Sequence, residues 1–492
     1  MEFLMPRSTR RLGSLPLLAL SLALPLACAD DVNGDDAEAG SEATDDEVGT
    51  EGTSESSETG SESESESETT ETGTETETET ETDTESETDT ETGEEPSHFQ
   101  VGVDIRNLDP TQAEQAGLFL GGYGAPFTRG VTTGVHDSIY ARTMAVGLGD
   151  DGVILSVVDA VGMGNQWTRE IRQQAAAATG LSEEQIIIST THTHSGPDFQ
   201  GLWGGVSSAY RDKVIDETVD SMASAWADRV DANLSAAAGT ADNRNRRDWG
   251  FTDDELFVLE ARSLADDALL GTLLSFAAHP VILPESNKEL SRDYCGYVVD
   301  NLEADTGGPV LFFNGILGDV SPDVPDGMYA DDFEEAAAYG ELVATEAALA
   351  LEGTEAVEPI LVHDYAEWDL PVDNALFNLA ALLGILQYDF DGGGGGNSVT
   401  TQTTYLRLGE QVQLIAFPGE SLTRNGLPVK EAMTAPYRAV LGNSGDALGY
   451  FVPSDEWQTG LNDDYEESVS LGQSVGDTTQ GIMVALIGLD TF

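Results

Sequence analysis

The sequence predicts an α/β fold in which mixed β-sheets are flanked by helices. Downstream of His98, short apolar runs rich in β-branched residues alternate with longer segments of helical periodicity. Hydrophobic residues make up 40% of the 492 residues, which is enough for a large core, and no segment repeats at a fixed period. Strands and helices that alternate in this way are typical of sheets covered by helices.

Six apolar runs predict buried strands, and five longer segments predict helices. The strand runs are residues 152–159, 185–190, 256–261, 272–278, 309–314 and 411–417. The helical segments are residues 166–179, 209–229, 294–304, 332–351 and 422–433. Five consecutive glycines at 392–396, after the apolar stretch 375–386, predict a flexible loop or the edge of a lid.

The first 27 residues are typical of a signal peptide. Three arginines precede the apolar stretch 12–27, which is too short to cross a bilayer comfortably. The stretch ends in LPLAC, which is similar to a bacterial lipobox, so residues 1–27 are predicted to be a lipoprotein signal peptide and Cys28 the lipidated residue. The alternative is ordinary cleavage near residues 27–29. We expect an exported protein that a lipid anchors to a membrane of the bacterial cell envelope, at the outer membrane or cell surface, or that is otherwise secreted.

Residues 28–96 are predicted to be a disordered, acidic tether rich in Glu, Thr and Ser. From Cys28 to Gln100 the sequence has 28 acidic residues and no Lys or Arg, and it lacks apolar periodicity. The tether would be either a stalk that lifts a domain off a membrane or a tail that only adds solubility. The remaining residues, 97–492, are predicted to form the folded domain.

Charge and cysteine content exclude some classes of protein. The chain has 90 acidic and 21 basic residues, for a formal net charge of −69. Nucleic acid is therefore excluded as a partner, because phosphate binding needs clustered cations. No protein partner is evident in the sequence. Two cysteines in so long a chain exclude a disulfide scaffold, and Cys295 is a free thiol if Cys28 is lipidated.

Histidines at strand ends indicate a metal site. His192 and His194 lie in THTHSGP (191–197), directly after a predicted strand. Residues two apart in an extended backbone point to the same face, so both imidazoles can converge on one point, as in a zinc site. His279 in FAAHP (276–280) again follows a predicted strand. Taken alone, it would more often be a hydrogen-bonded core residue, but three such histidines favour a metal.

Four motifs resemble those of a known family. THTHSGP, FAAHP, FFNGILGDVSP (312–322) and FPGE (417–420) occur in the same order in the neutral/alkaline, non-lysosomal ceramidases. The resemblance extends from about residue 101 to about residue 475. It implies a zinc-dependent amidohydrolase that acts on a linear amide and splits the N-acyl bond of ceramide, or of a related N-acyl lipid, into fatty acid and amine.

The resemblance also assigns a zinc site to this sequence. His192 and His279 match the zinc-binding histidines, and Glu420 matches the zinc-binding glutamate. Tyr450 matches a tyrosine that lies against the metal and can stabilise an oxyanion. Without the resemblance, Glu420 would be interpreted as a surface or capping acid and Tyr450 as a core tyrosine.

Other positions are matched to roles in catalysis or substrate binding. His194 matches a histidine available for proton transfer, and Ser321 matches a serine needed for activity, interpreted here as a positioning donor. Arg246 matches an arginine near the site. His136 is a candidate from the residues alone: it would face the substrate or cap a turn.

Two acidic residues also lie at positions where functional residues are common. Asp159 closes a predicted apolar strand, where acids of metal sites and their surroundings often lie. Asp293 precedes a predicted helix and would be a site residue or only its N-cap.

The predicted donors suit amide hydrolysis on physical grounds. Zinc lowers the pKa of a bound water from about 15.7 to about 7. Two histidines and one carboxylate leave a coordination position open. A phenol and a neutral imidazole next to the metal can stabilise the oxyanion and protonate the amine.

The sequence departs from the family pattern at positions that put the identity of the substrate in question more than the type of reaction. We expect no C-terminal β-sandwich domain, which the larger ceramidases have. Tyr450 is followed by FVPS (451–454), where the family usually has two threonines, and Asp323 replaces an asparagine. The alternatives are a zinc hydrolase of another amide or ester, and a non-catalytic surface-binding lipoprotein on the same fold.

Overall fold

The computed structural model describes residues 97–124, 127–390, 398–459 and 465–491. The predicted signal peptide, the lipidation of Cys28, the acidic tether and the glycine run at 392–396 lie outside these residues. Within the described ranges, none of the helices combines the length and the apolar character needed to cross a bilayer.

The strands of the described residues are numbered in chain order. They are β1 (Phe99–Asn107), β2 (Gly134–Val135), β3 (Tyr140–Leu148), β4 (Asp151–Val158), β5 (Ile186–Thr190), β6 (Val230–Thr240), β7 (Asn243–Asn245), β8 (Glu255–Ser263), β9 (Leu269–Phe276), β10 (Glu289–Leu290), β11 (Val310–Asn314), β12 (Val320–Pro322), β13 (Glu355–Val357), β14 (Leu361–Pro371), β15 (Ser398–Leu408), β16 (Val412–Ala416), β17 (Glu420–Ser421), β18 (Tyr437–Leu441) and β19 (Tyr450–Phe451).

The helices are numbered in the same way. They are α1 (Gln112–Gln115), α2 (Asn165–Thr179), α3 (Ser208–Ala227), α4 (Asp293–Thr306), α5 (Asp332–Leu351), α6 (Ala375–Leu382), α7 (Thr423–Ala432), α8 (Tyr465–Ser468) and α9 (Val475–Ile487).

Two mixed sheets form the centre of the fold. The larger has the order β11-β9-β8-β6-β1-β3-β4-β5, with β13 also paired to β6, and the smaller has the order β14-β15-β16-β18. Most neighbours are antiparallel, but β9–β11, β4–β5 and β16–β18 are parallel. Short strand pairs, including β17–β19 and β7–β12, lie outside both sheets.

Alternating side chains of the strands build separate cores. In β4, Val153 and Leu155 pack in a core that also contains Leu414 of the second sheet, so the two sheets face each other. Ile154, between them in sequence, packs instead with residues of α2 and α3. Helices α4 and α5 cover the other part of the large sheet, and α7 and α9 cover the small one. The order of layers is therefore helices, sheet, sheet, helices.

The two edges of the large sheet approach each other where their strands end. Asn314, the last residue of β11, donates from Nδ2 to the carbonyl of Thr191 after β5 (3.2 Å) and to that of Ala278 after β9 (3.0 Å). The loop after β18 joins them, since the Gly442 N–H donates to the Asn314 carbonyl at 2.8 Å. Loops from both sheets are thereby brought to one place.

The predicted α/β class is confirmed, and the predicted elements are present. The run 411–417 corresponds to Val412–Ala416, and the helical segment 422–433 corresponds to Thr423–Ala432. The pattern missed several strands, among them β6, whose sequence VDANLSAAAGT is poor in β-branched residues. Pairing with β1, β8 and β13 makes it a strand.

The buried carboxyl of Asp446, in the loop after β18, should make stability depend on pH. Thr401 donates a hydrogen bond to it, but burial raises its pKa to about 6. Because the unfolded group has a pKa of about 3.9, its stabilising contribution is complete below that pH and is lost as the pH rises through 6. Relative to Asp446→Asn, the wild type should lose up to about 3 kcal/mol of unfolding free energy between about pH 4 and pH 7. Urea unfolding at both pH values measures this, and parallel pH profiles for the two proteins would contradict it.

Candidate metal centre and pocket

His192 lies just after β5 in a backbone conformation that is rare for its type. Its φ is 66°, in the left-handed region. The ring Nδ1 contacts the carbonyl oxygen of Val161, in the loop between β4 and α2. The convergence of His192 with His194, whose ring centroids are 4.9 Å apart, therefore does not come from the alternation of an extended strand, as the sequence suggested. It comes from the left-handed conformation of His192 and the turn that follows it, in which the Gly196 N–H donates to the carbonyl of Thr193 at 3.0 Å.

His279 is fully buried in the loop after β9. Its backbone N–H donates to the carbonyl of Val320 at 2.9 Å, and its ring Nδ1 lies 3.2 Å from the carbonyl oxygen of Leu317. Burial lowers the pKa of His279 well below its ordinary value, so the ring is neutral. These contacts fix both the position of the ring and its tautomer.

The hydrogen bonds at Nδ1 leave the two Nε2 atoms facing each other. A carbonyl oxygen only accepts, so Nδ1 of His192 and of His279 must carry a hydrogen, and Nε2 is the nitrogen of each ring that remains for a ligand. These two Nε2 atoms are 3.1 Å apart. Imidazoles held by a carbonyl at Nδ1 are the arrangement that a metal ion bound at Nε2 needs.

Glu420 supplies the third donor. It lies on β17 opposite Tyr450 of β19, and its Oε2 is 3.4 Å from His192 Nε2 and 3.7 Å from His279 Nε2. This oxygen is buried and accepts no hydrogen bond from the described residues. Tetrahedral zinc with N and O ligands at its usual bond lengths would separate them by about 3.4 Å. The three donors therefore fit a metal ion.

His194 brings a third imidazole to the same point. Its Nε2 lies 3.2 Å from His192 Nε2, and its ring packs edge-to-face on Tyr123. Arg129 donates to the carbonyls of His194 and Gly121, which anchors the backbone on both sides of the ring. Burial, followed by the proximity of His192, lowers the pKa of His194 well below its ordinary value. Donor atoms of the three histidines lie within 4.8 Å of one another, so they too could hold a metal ion.

The structure places Tyr450 beside these donors. The Tyr450 ring is nearly parallel to that of His279, with centroids 6.2 Å apart, and it meets Tyr465 edge-to-face. The Glu420 N–H donates to the carbonyl of Gly449 at 2.9 Å. Glu420 and Tyr450 are thus held together although they are far apart in the sequence.

Ser321 and Arg246 approach the cluster from neighbouring elements. Ser321 lies on β12, next to the residue whose carbonyl binds the backbone of His279, and its buried Oγ has no hydrogen-bond partner among the described residues. The Arg246 N–H donates to the carbonyl of Asp319, and its side chain donates to that of Gly318. The positive charge of Arg246 contributes to the lowered pKa values of His194 and His279, so it lies within electrostatic range.

Asp319 and Asn314 support the site, although no sequence pattern predicted a role for them. Asp319 accepts hydrogen bonds from the N–H and hydroxyl of Thr423, at 2.7 and 2.8 Å, and from Asn245. It therefore ties the loop of Ser321 to the start of α7, just after Glu420. Two sequence features could have indicated them: Asn314 is a polar residue at the end of the apolar run FFN, and Asp319 is the acid in GDVSP. Their hydrogen-bond partners lie far away in the sequence, so no local pattern connects them to the site.

His136 makes its contacts elsewhere. It is partly exposed, stacks on Phe333 with ring centroids 3.7 Å apart, and lies 3.2 Å from Asp137. It is not among the residues that line the pocket described below. Its role as a substrate contact stays a prediction that these contacts do not support.

Asp159 and Asp293 are both buried in their own networks. Asp159 accepts a hydrogen bond from the Tyr140 N–H, and burial raises its pKa to about 6. Asp293 begins α4 with a φ of 53° and accepts hydrogen bonds from the Leu283 and Tyr294 N–H groups, while burial raises its pKa to about 7. It is the first helical residue, whereas Arg292 is the N-cap. Cys295 is a buried free thiol whose pKa is raised by burial, so it stays protonated.

An apolar pocket opens onto the donor cluster. His192, His194, Glu420 and Tyr450 form part of its wall. Apolar side chains form most of the rest: Val161, Leu202, Trp203, Phe377, Leu386, Phe390, Leu448, Val469 and Leu471. Such a lining suits a ligand with an apolar part and one polar group at the cluster.

Comparison with solved structures finds this fold in neutral ceramidase. Neutral ceramidase from Pseudomonas aeruginosa matches with a TM-score of 0.68 and 17% identity, over 80% of this chain and 74% of that one. A ceramidase complexed with C2 matches with a TM-score of 0.67 and 17% identity, over 80% of this chain and 75% of that one. No family model matches the sequence. The likeness confirms the neutral ceramidase-like fold that the motifs indicated.

Gly122 should be essential to the placement of His194. Its φ is 94°, and a Cβ at this position would lie 2.4 Å from His194 Cγ. Gly130 has a similar φ of 86° but nothing within 4 Å of its Cβ position, so it is a matched control. Gly122→Ala should lower the unfolding free energy by about 1–3 kcal/mol more than Gly130→Ala does. Urea unfolding of both variants measures the difference, and equal losses would contradict the contact.

The cluster should bind one transition-metal ion per chain. Titration calorimetry of the chelator-treated full chain with Zn²⁺ should show one tight site, and Mg²⁺ should not compete, because nitrogen donors disfavour it. His192→Ala and Glu420→Gln should each weaken binding by about a hundredfold or more. His363→Ala, which removes a histidine on β14 paired with Asp151, should leave it unchanged. Tight binding that survives in Glu420→Gln but not in His194→Ala would show that the three histidines alone hold the ion.

Proposed function

We propose that the chain is a zinc-dependent hydrolase of the neutral ceramidase type, which cleaves the N-acyl amide bond of ceramide or a related N-acyl lipid to a fatty acid and an amine. One observation carries the proposal. The Nε2 atoms of His192 and His279 converge with a buried oxygen of Glu420 that accepts no hydrogen bond from the described residues, and His192 and Glu420 also line an apolar pocket. The ceramidase-like fold supports the same conclusion.

The donor set favours zinc among the common metals. Two imidazoles and one carboxylate are typical of catalytic zinc sites, which keep one position open. When bound, zinc supplies a nucleophile at neutral pH, because it lowers the pKa of a water from about 15.7 to about 7. The protein's own residues must then orient the amide and move the protons.

Two side chains next to the donors suit these tasks. Tyr450 is held beside Glu420 and parallel to the His279 ring, where its hydroxyl can donate a hydrogen bond to the developing oxyanion. His194 is a neutral imidazole in the same pocket, so it can accept a proton and pass it to the amine, a poor leaving group. An amidase needs this proton transfer to the nitrogen of the leaving amine, whereas a site that only binds a ligand does not.

Ser321 and Arg246 are assigned supporting roles. Ser321 has a buried hydroxyl without a partner among the described residues, and no base is in hydrogen-bond contact with it, so we interpret it as a positioning donor. Arg246 brings a positive charge toward the cluster while its guanidinium is also 3.6 Å from Glu466. It would contribute electrostatic stabilisation of the substrate carbonyl.

The substrate class follows from the pocket. Phe377, Leu386 and Phe390 come from one segment of chain and line the pocket together with residues of the cluster. Each methylene that moves from water into such a pocket contributes about 0.8 kcal/mol. A long acyl or alkyl chain therefore supplies the binding free energy, and the polar amide lies at the donors.

Two alternatives follow from the sequence departures. Residues 451–454 and Asp323 differ from the ceramidase pattern, which favours a different amide or a long-chain ester as substrate. The second alternative is a non-catalytic, surface-binding lipoprotein with this fold. The joint presence of His192, His279, Glu420 and Tyr450 argues against it, because binding alone does not require a set with one open position.

We also propose that the enzyme is exported and lipid-anchored through Cys28. The signal peptide pattern and the acidic tether support this. A tethered hydrolase would act on lipids at or near the membrane that holds it.

Turnover of a fluorescent short-chain ceramide by the full chain tests the proposed function. Fatty acid release should require zinc, stop on addition of a chelator and return with Zn²⁺. His194→Ala and Tyr450→Phe should lower kcat by about a hundredfold or more while metal is retained. His363→Ala is the control that should keep full activity.

Each failure has a distinct meaning. Bound zinc without ceramide turnover would direct the search to other amides and esters. Absence of hydrolysis across N-acyl amides and long-chain esters, with zinc bound, would leave the binding lipoprotein as the function.

A further inference from the structure

We propose that Gln200 determines substrate specificity: its amide oxygen accepts a hydrogen bond from a hydroxyl or N–H group on the substrate's amine half. The inference rests on the proposed function, because it names the class of substrate that the pocket selects. Gln200 follows THTHSGP by only a few residues, but neither the sequence motifs nor the metal chemistry involves it.

The orientation of the Gln200 side chain is determined by its donors. Its Nε2 donates to the carbonyl of Ala447 at 2.9 Å and to the hydroxyl oxygen of Tyr388 at 2.7 Å. A carbonyl only accepts, so the nitrogen must occupy this position and the amide cannot be flipped. The Tyr388 hydroxyl donates to the same Ala447 carbonyl, which completes a closed triangle.

Both amide hydrogens of Gln200 are therefore used, and Oε1 is its one polar atom left. The hydrogen bonds of the Gln200 side chain to the described residues are both made by Nε2, so none of them involves Oε1, although the residue is only 7% exposed. The backbone is held as well: the Gln200 N–H donates to Asp198, and its carbonyl accepts from the Gln387 N–H. The free acceptor thus belongs to a side chain that is held in place at both its amide nitrogen and its backbone.

Gln200 belongs to the lining of the pocket that contains the metal donors. Gln200 lines it together with His192 and Glu420, and its neighbours in the lining include the apolar Leu202 and Trp203. A ligand that fills the pocket displaces water from Oε1. A purely hydrocarbon ligand would leave this oxygen unpaired, whereas one with a suitably placed O–H or N–H would satisfy it.

The chemistry selects a hydroxylated amine over a plain one. An acyl chain has no donor, so the donor must come from the other half of the substrate. An N-acyl amino alcohol with a long chain has such a hydroxyl, and an N-acyl alkylamine of the same length does not. The wild type should prefer the first in kcat/KM by about tenfold to a hundredfold.

The test compares these two substrates in wild type and in Gln200→Leu. The preference should fall to less than about threefold in the variant, mainly because the hydroxylated substrate loses kcat/KM. Gln200→Met, which is unbranched and close in volume, provides a second variant if leucine disturbs the fold. Gln173→Leu on the exposed face of α2 is the matched control and should keep the wild-type preference.

Dissociation constants for the same two compounds, measured by calorimetry, separate this inference from the proposed function. If neither compound is hydrolysed but the binding preference exists and disappears in both Gln200 variants, the hydrolase is wrong and the Gln200 assignment stands. If both are hydrolysed with equal kcat/KM by the wild type, or with an unchanged ratio by both variants, the Gln200 assignment is overturned.

Discussion

Two backbone carbonyls, those of Val161 and Leu317, determine the chemistry of the site. Each accepts from Nδ1 of a buried histidine and so leaves Nε2 of His192 and of His279 as the nitrogen that can bind a ligand. Burial keeps the ring of His279 neutral. The two Nε2 atoms face each other, with an oxygen of Glu420 beside them, which is the arrangement that a metal ion needs. The loops that hold the two carbonyls are therefore as important as the imidazoles themselves.

The framework brings loops from both sheets to this point. Asn314 binds the chain after β5 and after β9, so the two edges of the large sheet meet, and the loop after β18 joins them. Asp319 ties the next loop to the start of α7. These are buried polar contacts between segments that are distant in the sequence, 36 residues apart for Asn314 and Ala278 and 123 for Asn314 and Thr191. Their partial loss would leave unpaired groups in the interior, which makes the arrangement cooperative.

The pocket separates binding from chemistry. Apolar side chains line most of it, so an apolar part of a ligand would gain affinity there by burial. The donor cluster is one polar region of the pocket, and the Gln200–Tyr388–Ala447 triangle is a second.

The sequence by itself determined the α/β class, six of the strands, and the placement of His192, His194 and His279 at strand ends, because apolar runs and their polar ends are local patterns. Motif resemblance added Glu420 and Tyr450, which no spacing rule would join to the histidines. The tertiary structure alone decided the left-handed conformation of His192, the position of the hydrogen on Nδ1 of His192 and His279, the roles of Asn314 and Asp319, and the contacts of His136 away from the pocket. Each of these depends on a hydrogen bond or ring contact to a residue distant in the chain, and such a contact exists only after the two sheets have packed.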